Sequence, residues 1–474
     1  MNTTKMSVIA LSIAALAGCA APGERIIAQA QQADKQTQQR LERNQVLMAQ
    51  RSADEIGWWQ QLHSDELNQL VDSVLVRNQD LQAASARIKA ALANLDVSEF
   101  AYWPNGGLNA QAQRGKNVQI AYSGVQEQAS ARGVLNWQLD LSGRLRALAD
   151  AASARTHAQL AAHQQLSKEL VVTTVRSYMR WQGFAQQQQL TERQLEALSQ
   201  SMDILAVQVE EGVATEFELN RTRSQYFQLK QRLPQLQALM LAERATLAMI
   251  LDSSAQQLQL TALSEAQYQQ WALNLALLDP QQALMQRPDV RRSVAQLTEQ
   301  AALSTSAQRA LYPDVSLSAF AGVLGVGGSH FQQTQGQWQV TPQVQWSLFS
   351  YPELLAQLQQ QKALSQAQYH SYRQTLSNVI AGAELSLQTV FQQQQTLNLA
   401  QSRLQASQQA YAQARAAYEE GQLPYLELLD ARQDVLIAQQ DTLITRDTWL
   451  NAQVGVYSEL SGRWSRALHK VPVI

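Results

Sequence analysis

The sequence predicts a mainly helical chain with a small membrane-spanning β part, written twice over in one polypeptide and completed by three copies. Three observations predict it. Pro104 and Pro313, Trp137 and Trp346, Gly212 and Gly421, Asp80 and Asp289, and Arg223 and Arg432 all stand 209 positions apart, a constant register across five residue types. Four short segments alternate polar and apolar residues, the signature of a two-faced strand. Two segments of about 65 residues run almost without glycine or proline, and at ~1.5 Å per residue each makes a rod of roughly 100 Å.

The totals exclude several classes. Among 474 residues, 37 Lys and Arg nearly balance 39 Asp and Glu, so neither the basic footprint of a nucleic-acid binder nor an acidic tail is present. Residues 1–18 read as a signal peptide: Lys5, the apolar run 6–17, then Leu16-Ala17-Gly18-Cys19. That ending resembles the bacterial lipobox. By this resemblance Cys19, the chain's one cysteine, becomes a lipidated N-terminus carrying diacylglycerol and an acyl chain, and Ala20 in place of Asp points to the outer membrane. No second cysteine exists for a disulfide within the chain. No stretch reaches the ~20 apolar residues that a bilayer-crossing helix needs. Residues 19–61 are expected as a lipid-anchored segment, with the Gln-rich run 29–40 extended or loosely ordered.

The first repeat, 62–270, opens with a helix over 62–101, stopped by Trp103-Pro104 because proline restricts its predecessor and cannot continue a helix. Strands follow within 106–141, at Leu108 to Arg114 and Val134 to Leu141. A long helix over 144–211 ends at the turn Glu211-Gly212, and a return helix over 213–251 bends at Pro234. The second repeat, 271–462, runs in parallel: a helix over 271–310 stopped by Tyr312-Pro313, and strands within 313–348, at Val315 to Val323 and Trp338 to Leu348. A long helix over 353–420 follows, with Ser350 and Glu353 as a capping box around Pro352, then the turn Glu420-Gly421 and a return helix over 423–462. Leu429, Leu436, Leu443 and Leu450 recur every seven residues there, with Ile437 and Ile444 beside them, a coiled-coil seam. Residues 463–474 form a tail. The stretches outside the repeat are expected to meet in a mixed belt partway along the helices.

A strand of about ten residues reaches ~33 Å and, tilted, matches the ~25 Å apolar band of an outer-membrane barrel. Lipid then faces the Trp and Val side and water the Gln side. Trp103, Trp137, Tyr312 and Trp346 fall at the helix-proximal strand ends and Trp338 at the other, as membrane-interface aromatics. Four strands cannot close, and an open edge in lipid leaves unpaired backbone groups costing several kcal/mol each. Three copies give twelve strands, whereas two reach only the smallest barrel. Pro342, inside a strand, is expected at a bulge or a non-bonded position. The rival is a soluble pair of hairpins packed on helices.

The repeat, the lipobox, "WWQQLHSDELNQLVDSVLVRNQDLQAASARI", "WQLDLSGRLRA", "RPDVRRS" and "YLELLDARQD" together resemble the TolC/OprM outer-membrane efflux factors, in their lipoprotein, NodT-like branch. The resemblance implies a homotrimer with a twelve-stranded β-barrel continued by a twelve-helix α-barrel into the periplasm. It also implies partnership with a periplasmic adaptor and an inner-membrane RND or ABC pump, and a passive exit duct for drugs or other small molecules. It implies no cofactor and no metal. Two junctions depart from the family, Asp140-Leu141-Ser142-Gly143-Arg144 and Phe349-Ser350-Tyr351-Pro352. In the family a ring of carboxylates and apolar residues narrows the periplasmic mouth; the matching positions are Leu426, Glu427 and Asp430, with Glu218 in the first half, and Arg432 or Arg223 as a pairing partner. Three symmetric carboxylates would repel one another and attract cations. The turns at Glu211, Gly212 and Thr215 and at Glu420 and Gly421 are the expected adaptor-docking tips. The alternatives are an exit duct for secreted proteins, or a structural envelope lipoprotein that conducts nothing. An enzyme is not expected: no nucleophile elbow, phosphate-binding loop or His-x-x-x-His pair is present, and the six His are scattered.

Overall fold

The structure, a computed structural model, describes residues 22–43, 57–116, 125–275, 285–326 and 333–460. The signal peptide, Cys19, most of both strand-linking loops and the tail 463–474 lie outside the described residues. In chain order come α1 (Pro22–Arg43), a single 3₁₀ turn (Trp58–Leu62), α2 (Asp65–Arg77), α3 (Gln79–Phe100), β1 (Asn105–Lys116) and β2 (Val125–Leu139). Then follow α4 (Arg144–Glu210), α5 (Glu216–Lys230), α6 (Arg232–Ile250), α7 (Glu265–Gln269) and α8 (Pro288–Arg309). The last are β3 (Asp314–Val326), β4 (Gln333–Gln345), α9 (Tyr351–Glu419) and α10 (Tyr425–Leu460).

The repeat is carried into three dimensions residue by residue. Helices α3 and α8 open at 79 and 288 and close at 100 and 309, β1 and β3 open at 105 and 314, and α5 and α10 open at 216 and 425, so each pair keeps the 209 offset. Side-chain tethers keep it too. Trp137 Nε1 donates to the Tyr102 carbonyl at 2.8 Å and Trp346 Nε1 to the Leu311 carbonyl at 3.2 Å. Asn78 Nδ2 donates to the Ile250 carbonyl at 2.9 Å, while Arg287, its counterpart, donates to the carbonyl of Glu459, the counterpart of Ile250. In each half, the residue before the strand-bound helix thus ties down the end of the return helix.

Contacts divide the chain into two compact units, one of residues 1–40, 86–161 and 290–375, the other of 41–85, 162–289 and 376–474. Within the first lies a four-stranded antiparallel sheet in the order β1-β2-β3-β4. Its two hairpins share one register: Asn105 pairs with Asn136 and Asp314 with Gln345, and every later pair keeps the 209 offset. Strands run longer than the alternation alone marks, and β2 and β4 end at Leu139 and Gln345, so Leu141, Trp346 and Leu348 stand beyond them. Pro342 sits opposite Leu317 in an unbroken register, so the alternative of a bulge is excluded. With no N–H to give, it fits only with its nitrogen turned to the open side of β4. The alternation lapses at Phe320, which lies on the polar face of β3 with the Arg132 guanidinium 5.6 Å above its ring.

Four further expectations are corrected. The Gln-rich run 29–40 is part of helix α1, because Ala, Gln, Arg and Lys are strong helix formers and no glycine or proline follows Gly23. The helix expected over 62–101 is two, since Asn78 leaves the helical conformation and its Oδ1 accepts from Leu81 N at 3.1 Å, capping α3. The second-half helix expected from 271 does not start there: residues 271–275 are not helical, and α8 opens at Pro288. At α9 no capping box forms; Glu353 instead accepts from Gln357 one turn on, at 3.2 Å. The first return helix does break next to Pro234, between Lys230 and Arg232.

In the second unit the aromatic and aliphatic core joins Trp58, Leu67, Val71 and Val74 to Val171, Val175 and Tyr178 of α4, to Tyr268 and Trp271, and to Leu450 and Val454 of α10. Stretches outside the repeat therefore pack on the rods where a belt was expected. The expected heptad seam is buried at Leu429 and Leu450, but Ile437 and Ile444 remain 38% and 45% exposed, leaving part of that ridge without cover within one chain.

Candidate functional site

Both rods end in the same turn. Gly212 and Gly421 each have φ +73°, a left-handed conformation that glycine adopts without a Cβ penalty. Val213 N donates to the Gln208 carbonyl at 2.8 Å and Gly212 N to Val209 at 3.1 Å; Gln422 N donates to Ala417 at 2.8 Å and Gly421 N to Tyr418 at 2.9 Å. These are Schellman bond pairs, which satisfy carbonyls that a helix end would otherwise leave bare. Glu211 and Glu420 stand exposed at the turns, as do Val213 and Phe217. Replacing both glycines by valine is expected to cost about 1–2 kcal/mol at each turn. Amide exchange at Val213 and Gln422 should then accelerate; unchanged exchange would show that the turns tolerate the strain.

Beyond the turns the halves diverge. Thr215 caps α5: its Oγ1 accepts from Glu218 N at 3.3 Å, and Glu218 Oε2 accepts from Thr215 N at 2.8 Å. Glu218 is therefore committed to a capping box. Its counterpart Glu427 sits three residues past Pro424, which has neither hydroxyl nor N–H to offer; its amide donates to the Pro424 carbonyl at 3.1 Å, but its exposed carboxylate has no hydrogen bond or ion pair among the described residues. Leu426 is half-buried beside it.

Asp430 is paired, though not as expected. Its Oδ1 accepts from Arg221 Nη2 at 2.6 Å. Arg432 instead donates to Ser201 Oγ at 2.6 Å, and Arg223 to Asn220 Oδ1 at 3.2 Å, so neither meets a carboxylate within the chain. The correction has a simple cause: one residue is about 100° around a helix, and Arg221, two residues before Arg223, faces α10 where Arg223 does not. Arg221 and Asp430 are repeat equivalents 209 apart, so one column of the repeat carries opposite charges that meet across α5 and α10. Comparing the halves column by column could have found it. Next to the pair, Thr222 and Tyr425 share a 3.4 Å hydroxyl contact, Gln225 donates to Gln433 at 2.9 Å, and burial raises the Tyr425 pKa.

Of the aromatics expected at membrane interfaces, Trp103, Trp338 and Trp346 are well exposed and Tyr312 and Trp137 partly so. On β4, Trp338, Val340 and Val344 are exposed on one face and Gln337, Gln339, Gln343 and Gln345 on the other. Cys19 lies outside the described residues.

Further along the helices, Asp447 is half-buried, with its carboxyl turned in against α4 and Tyr268. Gln187 Nε2 donates to it at 3.2 Å and the Tyr268 hydroxyl donates as well. Removal from water pushes its carboxyl up from 3.8 to about 7. A Cβ on Gly183 would collide with that carboxylate, so glycine makes the room for it. Among the described residues no group of three or more His, Cys, Asp or Glu could hold a metal ion, and no helix is long and apolar enough to cross a membrane.

The family described as outer membrane efflux protein matches residues 70–253 and again 280–462, once in each half. The probable efflux pump outer membrane protein TtgC of Pseudomonas putida is 28% identical over 331 residues, covering 69% of this chain and 68% of that protein. The cation efflux system protein CusC of Escherichia coli is 24% identical over 340 residues, 71% of this chain and 73% of its own length. The solved outer-membrane channel OprN superposes with a TM-score of 0.80 at 27% identity, over 88% of this chain and 97% of that one.

Proposed function

The chain belongs to the outer membrane efflux protein family and is the outer-membrane channel component of a tripartite efflux system; from that premise we propose how its parts act. Three copies close their four-stranded sheets into one twelve-stranded barrel, with the Trp and Val faces in lipid and the Gln faces in water. The observation that carries this is the sheet's pair of free edges: β1 and β4 each have one neighbour, and their unpaired amides and carbonyls could not stand in hydrocarbon. Small molecules pass through the interior without chemistry, handed over from an inner-membrane pump by a periplasmic adaptor that engages the turns at Gly212 and Gly421. The exposed Val213 and Phe217 support that docking by offering apolar area. Acyl chains on Cys19 add a lipid anchor. At the turns, Leu426, Glu427 and Asp430 from three copies form the constriction, held by the Arg221–Asp430 pair.

The purified protein in planar bilayers is expected to pass discrete single-channel currents. A membrane left as resistive as bare lipid by correctly inserted protein would favour the structural-lipoprotein alternative instead.

A further inference from the structure

By register the polar face of the sheet is built of amides, hydroxyls, glycines and a few apolar side chains, and among the described residues it carries two charges. One is Asp314, at the helix-proximal end of β3, which accepts from Gln138 at 3.3 Å and lies 3.6 Å from Arg144. The other is Arg132, midway along β2. Arg114, Lys116 and Glu127 fall on the opposite face, where Arg114 and Glu127 pair at 3.1 Å.

Arg132 meets no carboxylate. Among the described residues it makes no ion pair or hydrogen bond, and its exposed guanidinium lies over the Phe320 ring, 5.6 Å from the centroid. Gly322 stands opposite Arg132, and a Cβ at that glycine would come within 2.5 Å of the Arg132 Cβ, so the missing side chain leaves the arginine stem its place. Phe320, two residues before Gly322 and so on the same face, interrupts the polar run of β3 and supplies the ring. A guanidinium laid over a phenyl covers one face of each and leaves its N–H edge bare. Beside them Gln128, Ser130 and Gln337 complete a recess of about 70 Å³. That is room for a charged headgroup, well below the ~300 Å³ or more of a site that encloses a drug-sized molecule.

We infer that Arg132 and Phe320 form an anion-recognition station on the inner wall of the barrel, one per copy at a single height, which takes a carboxylate, sulfonate or phosphate group borne on an aromatic ring. The inference rests on the duct reading above and names a class of solute for it. Twelve strands ~4.8 Å apart and tilted ~40° enclose a cylinder of radius roughly 12 Å, of which an arginine side chain spans about half. A solute on the axis then stands within about one Debye length, ~8 Å at physiological salt, of three guanidinium groups, and walls of low dielectric focus their field on it. The fork of each offers two parallel N–H bonds to an oxyanion, while the Phe320 ring beside it meets the ring of the solute. A cation of the same shape finds the same ring and three like charges, so the station sorts by charge.

Planar-bilayer recordings of the full-length channel test this with benzenesulfonate, methanesulfonate and benzyltrimethylammonium as probes. Benzenesulfonate is expected to reduce the open current at concentrations roughly tenfold below those the other two require. Arg132→Gln should weaken that block by about tenfold and shift the zero-current potential in a KCl gradient towards that of potassium. Arg132→Lys should recover the potential without the full block, because a point charge replaces the planar fork. Phe320→Leu should reduce benzenesulfonate to the level of methanesulfonate. Should Arg132→Gln fail to assemble, the lysine and leucine variants carry the same comparison. Block that is indifferent to residues 132 and 320, or no stronger than that by benzyltrimethylammonium, would overturn the station and leave the duct intact. Inserted protein that passes no current would overturn the duct reading along with it.

Discussion

Replacing Arg221 by Glu is expected to raise the open fraction of the purified channel by roughly a hundredfold at low salt. The substitution removes the 2.6 Å bond to Asp430 and puts a second carboxylate in its place. Because Arg221 and Asp430 are 34% and 56% exposed, solvent screens the pair, and its loss together with the new repulsion is about 1 kcal/mol per copy. Three symmetric copies acting together give about 3 kcal/mol, and each ~1.4 kcal/mol is a factor of ten in an equilibrium. Raising the salt to about 1 M, where charges are screened within ~3 Å, should erase most of the difference. Arg221→Asp combined with Asp430→Arg should restore the closed resting state. The measurement is single-channel recording of the parent and the two variants; an Arg221→Glu channel as quiet as the parent would remove the pair from the gate.

The second large effect is one of stability. Folding takes the Asp447 carboxyl from 3.8 up to about 7, so the folded chain holds a proton that the unfolded chain releases. The contribution of this group is therefore fully present below about pH 4, is lost as pH rises towards 7, and is constant above that. Asp447→Asn removes the charge and keeps one oxygen to accept from the Tyr268 hydroxyl, while its new NH2 faces Gln187, whose side-chain amide turned over can accept from it. It should stabilise the protein at pH 8 by at most roughly 4 kcal/mol, and by almost nothing at pH 4. Arg446 does not offset the charge, because its guanidinium donates to the carbonyls of Tyr268 and Trp271, at 3.3 and 3.1 Å. Thermal unfolding of the parent and Asp447→Asn across pH 4 to 8 tests this, since other titrating groups cancel in the difference. Equal differences at both ends of the range would show that Asp447 stays ionised in its pocket.

What could be read from sequence was whatever depends on local pattern or on the repeat. Alternation marked all four strands, the near-absence of glycine and proline marked both rods, and Gly212 and Gly421 marked both turns, because each of these signals acts over a few residues. Asn78 breaking the first helix was missed: asparagine is neutral in a helix, and it was the distant Ile250 carbonyl that made capping worth the break. That Arg221 rather than Arg223 or Arg432 meets a carboxylate lies beyond the sequence for the same kind of reason. Which of two arginines two positions apart faces another helix depends on the packing of α5 on α10, and spacing along one helix does not carry that. Nothing in the local spacing sets Asp447 apart from the other charges of α10; only Gly183 on α4, by leaving a hollow, seats its carboxylate there.

Pro342 has a consequence for the time before assembly. A newly exported copy must wait among strangers with the rims of β1 and β4 bare, and a bare rim is a template on which any stray extended chain can stack into an aggregate. A ring with no hydrogen to donate, set midway along one rim, halts such zippering after a few residues. In a barrel closed by three copies the proline would cost one bond per copy, against an edge on which stray strands stack less readily.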